Sequence, residues 1–250
     1  MKANIPALLV FAALLLSSCQ TTVNNQTSLK ATWKYALVSI PKEMTTDGSR
    51  CVGSFASKKN RKCLEKISRD RKHPLVLFMH GCAGIRDLHR RIITNFRSLG
   101  YAVIAPDSFT RLGRKADCKP TGRKRFTISL RTDEIRYALT QIPKLDWVDQ
   151  SRLVLAGFSE GGNTVAEYGG EDAFVGYIVM GWDCRHGLYP SGPVLAIQGA
   201  RDPQKKGRCS VAFREKSDSI IVQKAKHDIS SYPETMSALR KFLGAVAPLE

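Results

Sequence analysis

A chain of 250 residues, 43% hydrophobic and 24% charged, carries enough apolar material for one large core or two small ones, which excludes an intrinsically disordered protein. Lys and Arg outnumber Asp and Glu by 39 to 22, a formal charge of +17, so the surface should attract anionic partners such as phospholipid headgroups or acidic substrates. Nucleic acid is set aside, because the basic stretches lack aromatic interleaving and any known binding motif.

The N-terminus is the first informative segment. Lys2 precedes an apolar run from Ile5 to Leu16, too short to span a bilayer but suited to the core of a signal peptide. The run ends in Leu16-Ser17-Ser18-Cys19, which resembles a bacterial lipobox. Residues 1–18 are therefore expected to be a lipoprotein signal peptide, with Cys19 lipidated and the protein held at the bacterial cell envelope. Residues 19–30 are polar and weakly patterned, as a tether would be, and 31–250 are expected to form one domain.

Predicted elements follow in order. WKYALVSI (33–40) alternates and suits an antiparallel starter strand. PLVLFMHG (74–81), YAVIAPDSF (101–109), RLVLAGFS (152–159), AFVGYIVMGWD (173–183) and PVLAIQGARD (193–202) are continuous apolar runs, the pattern of strands buried on both faces. DSIIVQKAKH (218–227) reads as a last strand nearer the edge. Helical periods lie between them: Leu88, Ile92, Phe96 and Leu99 before Gly100, then Ile135, Leu139 and Ile142 before Pro143. A final helix carries Leu239, Phe242 and Val246 behind a capping box, Ser231 to Glu234. Strands alternating with helices predict an α/β fold, a doubly wound and mostly parallel sheet with helices on both faces.

Within LVLAGFSEGGNT (153–164), Ser159 falls between a strand and a helix beginning near Glu160, where a nucleophile elbow would present its hydroxyl at the C-terminal edge of the sheet. The next N–H, that of Glu160, would face a developing oxyanion from the start of that helix. A second donor should come from the loop after strand 74–79, which reads His80-Gly81-Cys82-Ala83-Gly84; Cys82 N–H is the candidate, with His80 shaping the loop. The acid should follow the serine at a later strand end: Asp202 is preferred, with Asp183 its rival. His227, between the last strand and the last helix, is the expected base, ahead of His73, His89 and His186.

Six cysteines besides Cys19, an even number in an oxidising compartment, suggest three disulfides. Cys51 with Cys63 is the most local pair, and no Cys-x-x-Cys spacing points to a metal. Residues 111–125 hold seven basic side chains after a strand's C-terminal end, so Arg111 and Arg114 are expected to rim the pocket and favour anionic or membrane-associated esters; 58–72 add eight more.

HGCAG, PDSFTRLG, AGFSEGG, QGARDP and KHD together resemble an α/β-hydrolase of the dienelactone-hydrolase-like branch, in a secreted, serine-bearing form, over roughly residues 70–245. The resemblance implies an α/β-hydrolase fold, no cofactor, and acyl hydrolysis of a small-molecule or lipid-like ester through an acyl-enzyme. It also implies the pairs Cys82 with Cys118, and Cys184 with Cys209. Dienelactone hydrolases proper use a cysteine nucleophile, so their lactone substrate does not carry over to Ser159. The competing class is a non-catalytic envelope lipoprotein that keeps the fold to bind an anionic polymer, a lipid or a protein.

Overall fold

The computed structural model describes residues 26–116, 118, 124–170, 173–203, 209–211 and 215–249. The predicted signal peptide and Cys19 lie outside the described residues. Eight strands, β1 (Leu37–Ile40), β2 (Cys51–Ser54), β3 (His73–Met79), β4 (Ala102–Ala105), β5 (Val148–Phe158), β6 (Gly176–Met180), β7 (Val194–Gly199) and β8 (Asp218–Val222), form one sheet in the order β2-β1-β4-β3-β5-β6-β7-β8. β1 runs antiparallel to both β2 and β4, and the pairings from β4 through β8 are parallel. Besides a helical segment at 26–34, α-helices form at α1 (Lys58–Leu64), α2 (Asp87–Ser98), α3 (Lys124–Gln141), α4 (Glu160–Ala166) and α5 (Pro233–Val246).

The continuous apolar runs arise because both faces of the central strands are covered. Along β3, Leu75, Leu77 and Met79 pack into a core with Ile135 and Ala138 of α3 and Val165 and Ala166 of α4. The intervening Val76 and Phe78 pack on the other side with Ile92, Ile93 and Phe96 of α2 and Leu239, Phe242 and Leu243 of α5. Each such fully buried Leu or Phe contributes roughly 2 kcal/mol. The fold is the predicted doubly wound, mostly parallel α/β sheet.

The departures have identifiable causes. Residues 26–34 are helical, where the sequence suggested the end of a tether and the start of a strand, so β1 begins only at Leu37. This helical segment is anchored by Trp33 stacked on Phe55 at 5.2 Å and by Thr32 O, which accepts from Asp107 N at 3.0 Å. β2 and α1 were not anticipated, being short, and Cys51–Cys63 staples one to the other. α5 starts at Pro233, whose fixed φ suits a first helical residue, with the extended Tyr232 as its N-cap; the predicted capping box at Ser231 therefore falls one residue outside.

Candidate active site

Ser159 follows β5 and precedes α4 with φ 58 and ψ −115, a left-handed backbone that a non-glycine residue adopts only where the surroundings hold it. They hold it through Ser159 N, which donates to Met180 O at 2.8 Å, and through Asn163 N, which donates back to Ser159 O at 2.9 Å. The turn needs glycine at 161, where a Cβ would lie 1.9 Å from Met79 O. The apolar run of β5 therefore delivers its serine to the C-terminal edge of the sheet.

Two neighbouring strand ends supply the partners. Asp202 follows β7, and His227 lies in the loop after β8; His227 Nδ1–H donates to Asp202 Oδ2 at 2.6 Å. The loops are laced together by Arg201 N to Ala225 O at 2.9 Å and Ala200 N to Val222 O at 3.0 Å. They close this tightly because Gly199 has no side chain: a Cβ there would meet Lys226 O at 1.9 Å. The Asp202 side chain is 3% exposed and that of His227 is 26%, so the carboxylate is buried and the ring reaches the surface. The His227 ring rests on Phe158, the residue before Ser159, at 4.8 Å between centroids. Asp183, the rival acid, is engaged elsewhere: Arg185 donates to both its oxygens, at 2.7 and 2.8 Å. His186 lies against Trp182 at 6.0 Å, and His73 bonds to Ser68 O at 3.2 Å at the far end of β3.

The loop after β3 lies over the elbow. A Cβ at Gly81 would be 3.4 Å from Ser159 Cβ, so Cys82 follows directly from a contact with the serine, and the Cys82–Cys118 disulfide ties this loop to the segment after Arg114. His80 is buried and neutral: burial, with Arg131 alongside, holds its pKa well below the ordinary value. Its Nδ1–H donates to Gly81 O at 2.8 Å and its Nε2 accepts from Ser108 N at 3.1 Å. It shapes the loop, in line with the sequence reading.

His89 was set aside as a residue on a helix, yet it is buried beneath this loop, with Gly81 N 2.9 Å from its Nε2 and Arg86 N 3.2 Å from its Nδ1. A neutral imidazole has one acceptor nitrogen, so only one of these bonds forms at a time. Burial, then Arg131 and His227, push its pKa down to about 4.

Behind the elbow lies an ionic network that the sequence reading missed. Arg131 and Glu134, one turn apart on α3, pair at 3.1 Å with both side chains fully buried. Arg131 Nη2 donates to His80 O at 3.0 Å, and Ser108 Oγ donates to Glu134 at 2.7 Å. Burial raises the Glu134 pKa, against the lowering pull of Arg131, Ser108 and Arg111. The available signal was Arg131 and Glu134 sharing the helical stripe of Ile135 and Ala138, where buried charge demands a partner. Arg111 and Arg114 were expected to rim the pocket; each faces a carboxylate of the protein itself. Arg111 is buried, donates to Leu130 O at 2.7 Å and lies 3.8 Å from Glu134. Arg114 pairs with the Glu160 carboxylate and lies over the Phe109 ring at 5.1 Å.

The remaining predicted disulfide, Cys184–Cys209, is present, so all three pairs are as expected. Among the described residues no cluster of His, Cys, Asp and Glu is arranged to hold a metal ion.

Comparison with known proteins gives a family match: the model for "Dienelactone hydrolase family" matches residues 63–240. Among solved structures, the chain is similar to the ferulic acid complex of Est1E from Butyrivibrio proteoclasticus, with TM-score 0.56 and 16% identity over 84% of this chain and 94% of that one. It is also similar to a putative dienelactone hydrolase from Klebsiella pneumoniae, with TM-score 0.50 and 16% identity over 72% and 89% of the two chains. At these identities the likeness concerns the fold. No curated protein sequence matches the chain.

Proposed function

The chain belongs to the dienelactone hydrolase family, and from that premise we propose that it is a serine hydrolase cleaving esters through Ser159, His227 and Asp202. The observation that carries this reading is the 2.6 Å bond from His227 Nδ1–H to Asp202. It fixes the tautomer and leaves Nε2 as the basic nitrogen, on a ring that rests beside the elbow.

In the proposed reaction, Ser159 Oγ attacks the ester carbonyl while His227 Nε2 takes its proton. The oxyanion accepts hydrogen bonds from the N–H groups of Cys82 and Glu160, and Asp202 stabilises the imidazolium. Collapse expels the alcohol, which leaves with the proton from His227. Water then attacks the acyl-enzyme, giving its proton to His227, and the acid departs as Ser159 regains a hydrogen. Activity should therefore fall as His227 becomes protonated. The Arg114–Glu160 pair supports a positioning role for Arg114, steadying the residue whose N–H is proposed as a donor.

We place the enzyme at the cell envelope through a lipidated Cys19, supported by the apolar run that precedes this residue. One experiment tests both parts: a fluorophosphonate probe applied to fractionated cells. Wild type should label in the membrane fraction, Cys19→Ser in the soluble fraction, and Ser159→Ala not at all. Equal labelling of folded Ser159→Ala would refute the nucleophile assignment, and Cys19→Ser recovered in the membrane fraction would refute the anchor.

A further inference from the structure

At the opposite edge of the sheet, where β3, β4 and β5 begin, lies a cavity of about 500 Å³. It is separated from Ser159 by the length of the central strands, roughly 20 Å for seven residues. Its walls carry six cations, Lys42, Arg50, Arg71, Lys72, Arg97 and Arg152, against a single carboxylate, Glu43. Met44, Leu99 and Leu249 give it an apolar side.

Two of the cations, Arg97 and Arg152, are held by neighbouring side chains, and Arg50 is exposed at the rim. Arg97 is half-buried, donating to Ser39 Oγ at 2.9 Å and to Thr94 Oγ1 at 3.4 Å. Arg50 stands at the head of β2, next to the Cys51 that is bonded to Cys63. Among the described residues neither Arg50 nor Arg97 has a carboxylate within ion-pairing distance, whereas Arg152 pairs with Asp149 at 2.6 Å. Burial and the neighbouring positive charge of Arg50 both lower the Arg97 pKa. His73 at the cavity wall is likewise lowered, first by burial and also by Arg71 and Arg152. A fold that collects like charges in a concavity gains stability when an anion enters.

We propose that this cavity is a second binding site, specific for a phosphate ester, with Arg50 and Arg97 as its principal ligands. Phosphate fits better than a single carboxylate because it presents several oxygens to guanidinium forks and carries up to two negative charges. The apolar side would take the organic part of the ester. The inference is independent of the catalytic reading of Ser159, since the two sites share no residue.

Two sources share this chemistry, a soluble phosphate ester and a phospholipid headgroup, and isothermal titration of the full-length chain separates them. Glycerol 3-phosphate represents the first, and monomeric dihexanoyl phosphatidylglycerol the second. Saturable binding is expected for at least one probe, and the probe with the higher affinity identifies the source. Arg50→Ala, an exposed position, should weaken that binding at least tenfold, and Arg97→Lys, which keeps a donor toward Ser39, should weaken it severalfold. Glu43→Gln should tighten it. Hydrolysis of a neutral ester should be unchanged in all three variants. Failure of both probes to bind would overturn the proposal. So would binding that neither arginine substitution affects, because the anion would then be held elsewhere on the basic surface.

Discussion

Asp183 and Asp202 stand beyond the ends of neighbouring parallel strands, β6 and β7, and their side chains are almost equally hidden, at 0% and 3% exposure. Their partners differ. Asp183 is gripped by Arg185, two residues away, whereas Asp202 meets His227 from 25 residues further along the chain. A guanidinium keeps its charge throughout the working range, so the first pair is a permanent brace. An imidazole can gain and lose a proton, so the second pair can take part in a cycle. Burial alone does not distinguish a structural carboxylate from a candidate catalytic one; the titration behaviour of its partner does.

The sharpest way to break this comparison is Asp202→Asn. The amide would no longer favour the required tautomer, and kcat should fall by about 10⁴-fold with little change in melting temperature. A loss of less than tenfold in steady-state kinetics would remove Asp202 from the mechanism. Asp183→Asn should do the reverse. Urea denaturation should show a loss of about 3 kcal/mol, at the low end for a broken buried pair because Arg185 retains access to water, while kcat of the folded protein stays within about threefold of wild type. If it instead abolished turnover and spared stability, the two roles would have to be exchanged.

A third, smaller effect concerns the histidine beneath the loop. His89 is held down to about 4, below the ordinary value of 6.5, so on acidification the unfolded chain takes up a proton before the folded one does. The stability due to a neutral His89 is thus fully present above about pH 6.5 and declines as the pH falls toward 4, at about 1.4 kcal/mol per unit. Between pH 7 and pH 5 wild type should lose about 2 kcal/mol more than His89→Gln in urea titrations. Subtracting the two cancels the contributions of other groups, Glu134 included, and parallel curves would show that His89 is not buried neutral.

Much of this architecture was legible because the determinants are local. Strands covered on both faces must be continuously apolar, and Ser159, Asp202 and His227 each follow a strand end marked by glycine or a change in polarity. Elements fixed by distant contacts were not legible. The 26–34 helix depends on Trp33 meeting Phe55 and on Asp107 bonding to Thr32, and nothing in its own polar sequence announces either. Arg131 and Glu134 are good helix formers that read as surface charge until His80 and Ser108 are seen to enclose them. Arg111 and Arg114 were expected to rim the pocket and contact substrate, but a sequence does not state which carboxylate a guanidinium will meet. His89 shows the same limit, since its value lies in the Gly81 N–H above it.

Gly199 bears on how this chain can drift. It has no side chain and titrates over no pH range, so a list of functional groups would omit it. Yet every substitution there introduces a Cβ, and the first atom it meets is the Lys226 carbonyl at 1.9 Å, one residue before His227. The spacing of the Asp202 and His227 loops is thus set by an absent methyl group. Mutation at this position must be answered by re-spacing two strand ends together.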